Sequence, residues 1–173
     1  MTRGTITPLL LLALAATPVL AQVTAKQGEA RTESRQRFRS PMVLEVPAGA
    51  LLALERGDSW SFPEVGNYLC EDAWLRDVQI KRTRARQGEL EYEVEGFILV
   101  ADSYDREAAV RFEFLDGERV AGGGHKDRID AEEQKTTRFW FKMNLTADAA
   151  SALRSSSAPT LRLTLELLQN GIG

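Results

Sequence analysis

The chain carries one histidine, His125, and one cysteine, Cys70, and this scarcity limits the chemistry open to it. Nucleophilic catalysis by Ser–His–Asp or Cys–His groups needs the histidine against both a nucleophile and an orienting partner. His125 follows Gly122-Gly123-Gly124 and precedes Lys126-Asp127, a stretch that reads as a flexible hairpin end. One His and one Cys do not furnish a structural zinc site, which draws on several such ligands. The three glycines are followed by no helical pattern, and no GxxxxGK[ST] phosphate loop is present. Carboxylates are plentiful by contrast. Asp102 and Asp105 could offer oxygen ligands to calcium, although aspartate is also favoured in β-turns. Asp127, Asp130, Glu132 and Glu133 form a second acidic loop. A hydrolase or lyase working through carboxylates would draw on these two loops. No catalytic residue, metal ligand set or cofactor motif stands out, so the favoured expectation is a non-enzymatic protein.

The feature that points to binding is aromatic. In Lys135 to Met143, the residues Thr137, Phe139, Phe141 and Met143 share one face of a strand, and Arg138, Trp140 and Lys142 share the other. A tryptophan turned outward between cations marks a contact surface, because aromatics and arginine are enriched at interfaces. Arg138, Trp140 and Lys142 are therefore the expected binding residues. Two shorter patterns carry less. Arg56-Gly57-Asp58 matches the integrin-binding tripeptide, a pattern common by chance. Asn144-Leu145-Thr146 fits a glycosylation sequon, and equally the polar entry to a helix.

The elements that would position these residues are mostly strands. Asp77 to Arg86 and Glu89 to Ala101 alternate with a period of two around Gln87-Gly88, a tight-hairpin signal. Lys81, Arg82, Arg84 and Arg86 lie on the first of these strands and Glu89, Glu91, Glu93 and Glu95 on the second. Pairing across the turn sets Arg86 against Glu89, Arg84 against Glu91 and Arg82 against Glu93. The basic run then has its partners within the chain, and a slip by one residue would turn Leu90, Tyr92 and Val94 to solvent. Ala108 to Leu115 is a third strand, leading through Asp116-Gly117 into Glu118 to Ala121, which is expected to end at the three glycines. Thr160 to Leu168 is the last. Between the last two strands, Thr146 as N-cap, Asp148 in the first turn and Ala147 to Leu153 predict a short helix. The expected fold is mainly β: an antiparallel immunoglobulin-like β-sandwich with one short helix.

Residues 1–21 read as a secretory signal peptide: Arg3, then an apolar run from Leu9 to Ala16, then Val19-Leu20-Ala21 before the cut. The run is too short to span a bilayer, which takes ~20 residues, and the mature chain has no second one. Residues 22–40 are polar and read as a flexible arm, and residues 41–173 as the β domain. Net charge is −3 for the full sequence and −4 once Arg3 is removed, which argues against nucleic acid as a partner. A single Cys permits no disulfide within the chain; Cys70 is expected to be buried rather than paired between chains. The expected location is the periplasm or the exterior.

Glu93 to Val120 resembles the core of small exported immunoglobulin-like domains of the FxLYD type. The residues that carry the resemblance are Val94-Glu95-Gly96, closing one strand, and Phe114-Leu115-Asp116-Gly117, closing the next; Leu115 stands where those domains have tyrosine. The resemblance covers only this central stretch, and it implies a binding or assembly module without catalytic residues. The expected function is thus an exported, non-enzymatic binding module of the bacterial envelope, with a protein or other envelope component as partner. Alternatives are the carboxylate-dependent hydrolase or lyase, and a carrier of a small apolar ligand.

Overall fold

A computed structural model describes residues 24–25, 36–62, 68–101 and 105–168. The expected signal peptide lies outside the described residues, as does Asp102.

The strands are β1 (Thr24–Ala25), β2 (Gln36–Phe38), β3 (Met42–Pro47), β4 (Ser59–Ser61), β5 (Tyr68–Cys70), β6 (Ala73–Arg86), β7 (Glu89–Val100), β8 (Arg106–Asp116), β9 (Arg119–Ala131), β10 (Thr136–Leu145) and β11 (Pro159–Leu168). A single helical turn, α1 (Gly49–Leu52), follows β3, and α2 (Ala147–Ser155) joins β10 to β11. The fold is mainly antiparallel β, with its longer helix between the last two strands as the sequence indicates. Its eleven strands form one hydrogen-bonded sheet in the order β1-β3-β11-β8-β9-β10-β7-β6-β5-β2, with β4 also on β6. The sheet curls into a half-barrel, and an immunoglobulin-like division into two stacked sheets is not clear in it. One pair, β2 with β5, is parallel.

The curl follows from local causes. Bulges interrupt the β6–β7 ladder between Arg76 and Gln79 and between Arg82 and Arg84, and the β8–β9 ladder between Ala108 and Val110. An extra residue on one strand bends it and raises its twist. Asp77 and Arg128 take up the left-handed backbone that such bulges need, at φ 49° and 52°. The far parts of the sheet then approach each other near Ser40. Its hydroxyl accepts from Leu167 N at 2.8 Å, and its own N–H donates to Glu71 Oε1 at 3.3 Å. Sheet pairing thus begins N-terminal of Pro41, and Phe38 is buried.

The concave side holds the core. Alternation along β7 turns Leu90, Tyr92, Val94, Gly96, Ile98 and Val100 inward, and β11 contributes Leu161, Leu163, Leu165 and Leu167. Phe112 lies at the centre, with Phe62 and Phe141 each at 6.0 Å between ring centroids. Tyr92 donates to Leu51 O at 3.3 Å, and burial pushes its phenol up to about 12. Gly96 faces inward opposite Phe139, whose ring occupies the space a side chain would take. Helix α2 buries Ala150 and Leu153, and the Thr146 hydroxyl caps it by accepting from Ala149 N at 3.3 Å.

Two expectations change here. The second half of the β8–β9 hairpin does not stop at the glycines; β9 continues through Gly122-Gly123-Gly124 to Ala131. Glycine there is demanded by close-packed neighbouring backbones, which sequence alone does not show. The β6–β7 register agrees for Arg86–Glu89, Ala85–Leu90 and Arg84–Glu91, then the bulge at Thr83 shifts it. Arg82 therefore opposes Tyr92, not Glu93, and its guanidinium donates to Leu54 O; Lys81 takes the position opposite Glu93.

Candidate functional site

The convex face of β4, β6, β7 and β10 presents its outward side chains in rows fixed by register. One row runs Ser59, Lys81, Glu93, Lys142. The next runs Ser61, Gln79, Glu95, Trp140. A third pairs Arg76, Phe97 and Arg138, and a fourth Trp74, Leu99 and Thr136. The face is thus polar at the β6–β7 turn end and grades into half-buried apolar side chains at the other.

Arg138, Trp140 and Lys142 lie together on this face. Trp140 is 50% exposed. Its flanking cations are not free charges. Arg138 Nε is 2.7 Å from Glu95 Oε1, and Lys142 Nζ is 3.0 Å from Glu91 Oε1. Both pairs run diagonally from β10 to β7, so the glutamates of β7 meet cations of β10 as well as the basic strand β6. Glu91 also accepts from the Thr83 hydroxyl at 3.1 Å. The Lys142 ammonium, and after it the Thr83 hydroxyl, holds the Glu91 carboxyl below its ordinary value.

That depression fixes the sign of a pH effect. The native state favours ionised Glu91 more than the unfolded chain does, so the stabilisation is present at neutral pH and fades as acid titrates the native carboxyl. The Lys142→Gln variant should therefore lose less of its melting temperature between neutral pH and the acid side of the carboxylate range than the parent chain loses. Equal losses in the two proteins would show that the pair is fully screened by solvent.

Beside Trp140 the rows enclose a shallow depression of about 260 Å³, lined by Ser59, Gln79, Lys81, Glu93 and Glu95, with Gly57 at its rim. Sequence reasoning missed Ser59, Gln79 and Lys81 as companions of Trp140. Their outward phase is legible in each strand, but their adjacency depends on the strand order β4-β6-β7-β10. Of the Arg56-Gly57-Asp58 tripeptide only Gly57 reaches this rim, and the tripeptide is bound into the fold: Gly57 N donates to Arg82 O at 2.8 Å, and Asp58 Oδ2 accepts from Glu55 N at 3.2 Å.

The other chemically suggestive residues are dispersed. His125 lies within β9 rather than at a hairpin end, and its Nε2 is 3.3 Å from Asp127 Oδ2. Asp105 Oδ1 accepts from Glu133 N at 2.9 Å, Glu132 pairs with Lys135, and Asp130 is exposed on β9. Among the described residues, no three His, Cys, Asp or Glu side chains gather as a group able to hold a metal ion. Cys70 is buried beneath β11, 3.8 Å from Leu165 O, and burial pushes its thiol up to about 12. A buried, protonated thiol is inert toward disulfide exchange. No described helix is long and apolar enough to cross a membrane.

No protein-family model matches the chain, and a comparison with curated proteins finds no match.

Proposed function

We propose that this chain is an exported, non-enzymatic binding module of the bacterial envelope, and that the Trp140 face is its contact surface. The observation that carries the reading is a large aromatic held half in solvent on an outer sheet face, between two cations, Arg138 and Lys142, that are each paired with a glutamate of β7. A side chain of that size left in water has no folding role to explain it, whereas a rigid aromatic anchor is what binding surfaces use. The likeness of Glu93 to Val120 to FxLYD-type domains supports the same class of function, and we extend the proposal to an immunoglobulin-like origin for the half-barrel. Export rests on the leader-like residues 1–21.

The test uses the exported chain, whose intact mass should correspond to a start at Gln22. Trp140→Ala should leave thermal stability within about 0.5 kcal/mol of the parent, as surface substitutions do. The same variant should lose capture of the partner that the parent retains from an envelope fraction. Undiminished capture removes Trp140 from the contact surface. An unfolded variant makes Trp140 a structural residue.

A further inference from the structure

The depression beside Trp140 has a chemistry that narrows what it can hold. We infer that it is a saccharide subsite, taking one pyranose ring of an uncharged glycan. This rests on the reading of the Trp140 face as a contact surface and names the ligand class for it.

An indole presents an electron-rich face. The C–H groups on one side of a pyranose ring carry slight positive charge and lie flat against such a face. The polar groups around the ring then have to satisfy hydroxyls, each of which both donates and accepts. The lining supplies both functions: Lys81 donates, Glu93 and Glu95 accept, and the Ser59 hydroxyl and Gln79 amide do either. These groups come from neighbouring strands spaced about 4.8 Å apart, so they are presented on a rigid sheet and not on a loop.

Charge points to a neutral ligand. Lys81 lies directly across from Glu93, and Glu95 is held by Arg138, so no excess of either sign is left to attract an ion. A polyanion would meet two carboxylates. A protein partner fits less well, because the cores of protein interfaces are depleted in Lys and Glu, the residues that dominate this lining. The volume, about 260 Å³ and open to solvent, lies just below the roughly 300–1,000 Å³ of sites that engulf a small molecule. It suits one ring of a chain lying across the surface.

The experiment is a nuclear magnetic resonance titration of the isotopically labelled exported chain. The probes are the β-1,4-linked N-acetylglucosamine tetramer, cellotetraose and maltotetraose. With at least one of them, the Trp140 indole N–H and the Gln79 side-chain amide should shift saturably. Trp140→Ala should weaken that binding by about tenfold or more, as loss of an interface anchor does. Trp140→Phe, which keeps an aromatic plate, should stay within about threefold of the parent. Glu93→Gln should weaken binding while leaving the fold intact. No saturable shift at this face with any of the three sugars overturns the assignment, as does binding that survives Trp140→Ala. If the sugars fail and Trp140→Ala still loses the envelope partner, the contact surface stands and the partner there is not a glycan. If Trp140→Ala keeps that partner and the sugars also fail, both readings fall.

Discussion

Gly123→Ala should destabilise the protein by more than about 3 kcal/mol, the upper range for forcing atoms into a packed interior. A Cβ at Gly123 would fall well inside van der Waals contact of the Phe112 carbonyl oxygen and 3.1 Å from Glu113 Cα, both backbone atoms of β8. Gly124 is hemmed in from the other side, where its Cβ would strike the Lys142 carbonyl oxygen on β10. Successive glycines thus face different neighbours, and neither neighbour can yield by rotating a side chain. Moving β8 would disturb its pairing with β11, and moving β10 its pairing with β7. The control is Gly49→Ala at the start of α1, where an added Cβ meets nothing within 4 Å. It should sit within about 1 kcal/mol of the parent, the size of the glycine-to-alanine helix preference. Urea midpoints of the two variants decide the matter. A Gly123→Ala midpoint equal to that of Gly49→Ala would mean that β9 is not clamped between β8 and β10.

These glycines also show where sequence reasoning reached its limit. Gly122-Gly123-Gly124 signals a break to any rule based on local conformational freedom. Its reason in the fold is the close approach of the flanking strands β8 and β10, which leaves no local mark. Turns, caps and strand phase are legible in the sequence because their causes are local. Gln87 and Gly88 form the β6–β7 turn with φ values of 49° and 90°, Thr146 caps α2, and the phase of β10 sets Phe139, Phe141 and Met143 inward and Arg138, Trp140 and Lys142 outward. The short strands β2, β4 and β5 were too brief for periodicity to register, and they complete the curl beyond β6. The candidate site divides along the same line. Its aromatic anchor could be read from one strand's alternation. The Ser59, Gln79 and Lys81 side chains beside it belong to strands brought together only by sheet order. The bulge at Thr83 is a smaller instance: one extra residue turned Arg82 from the charged face toward Tyr92.

The second large effect is expected far from the Trp140 face, at the corner where β5, β6, β7 and β8 meet. Asp72 lies in the turn between β5 and β6, and Arg106 opens β8. Arg106 Nη2 and Nε reach Asp72 Oδ2 at 3.1 and 3.3 Å, and the two side chains are only 17% and 12% exposed. The Asp72 carbonyl accepts from Ala101 N at 2.9 Å, so the same residue ties the end of β7 to the turn. Among the described residues no donor reaches the buried Asp72 Oδ1. Among the described residues the carboxylate therefore depends on one guanidinium for its compensation. Removing that guanidinium leaves a charge with little water around it, a far greater cost than the pair's net contribution to folding. Arg106→Met should destabilise the protein by about 3 kcal/mol, the lower end for breaking a buried pair, since a little solvent still reaches this one. Adding Asp72→Asn to Arg106→Met should recover a substantial part of that loss, because the stranded charge is gone while the carbonyl contact to Ala101 remains. Denaturant midpoints of the two single variants and the double variant form the cycle. If Arg106→Met alone matches the parent, water already compensates Asp72 and the corner is held by its backbone bonds. If the double variant is as weak as the sum of the singles, the two side chains act independently and the pair contributes nothing to closing the sheet.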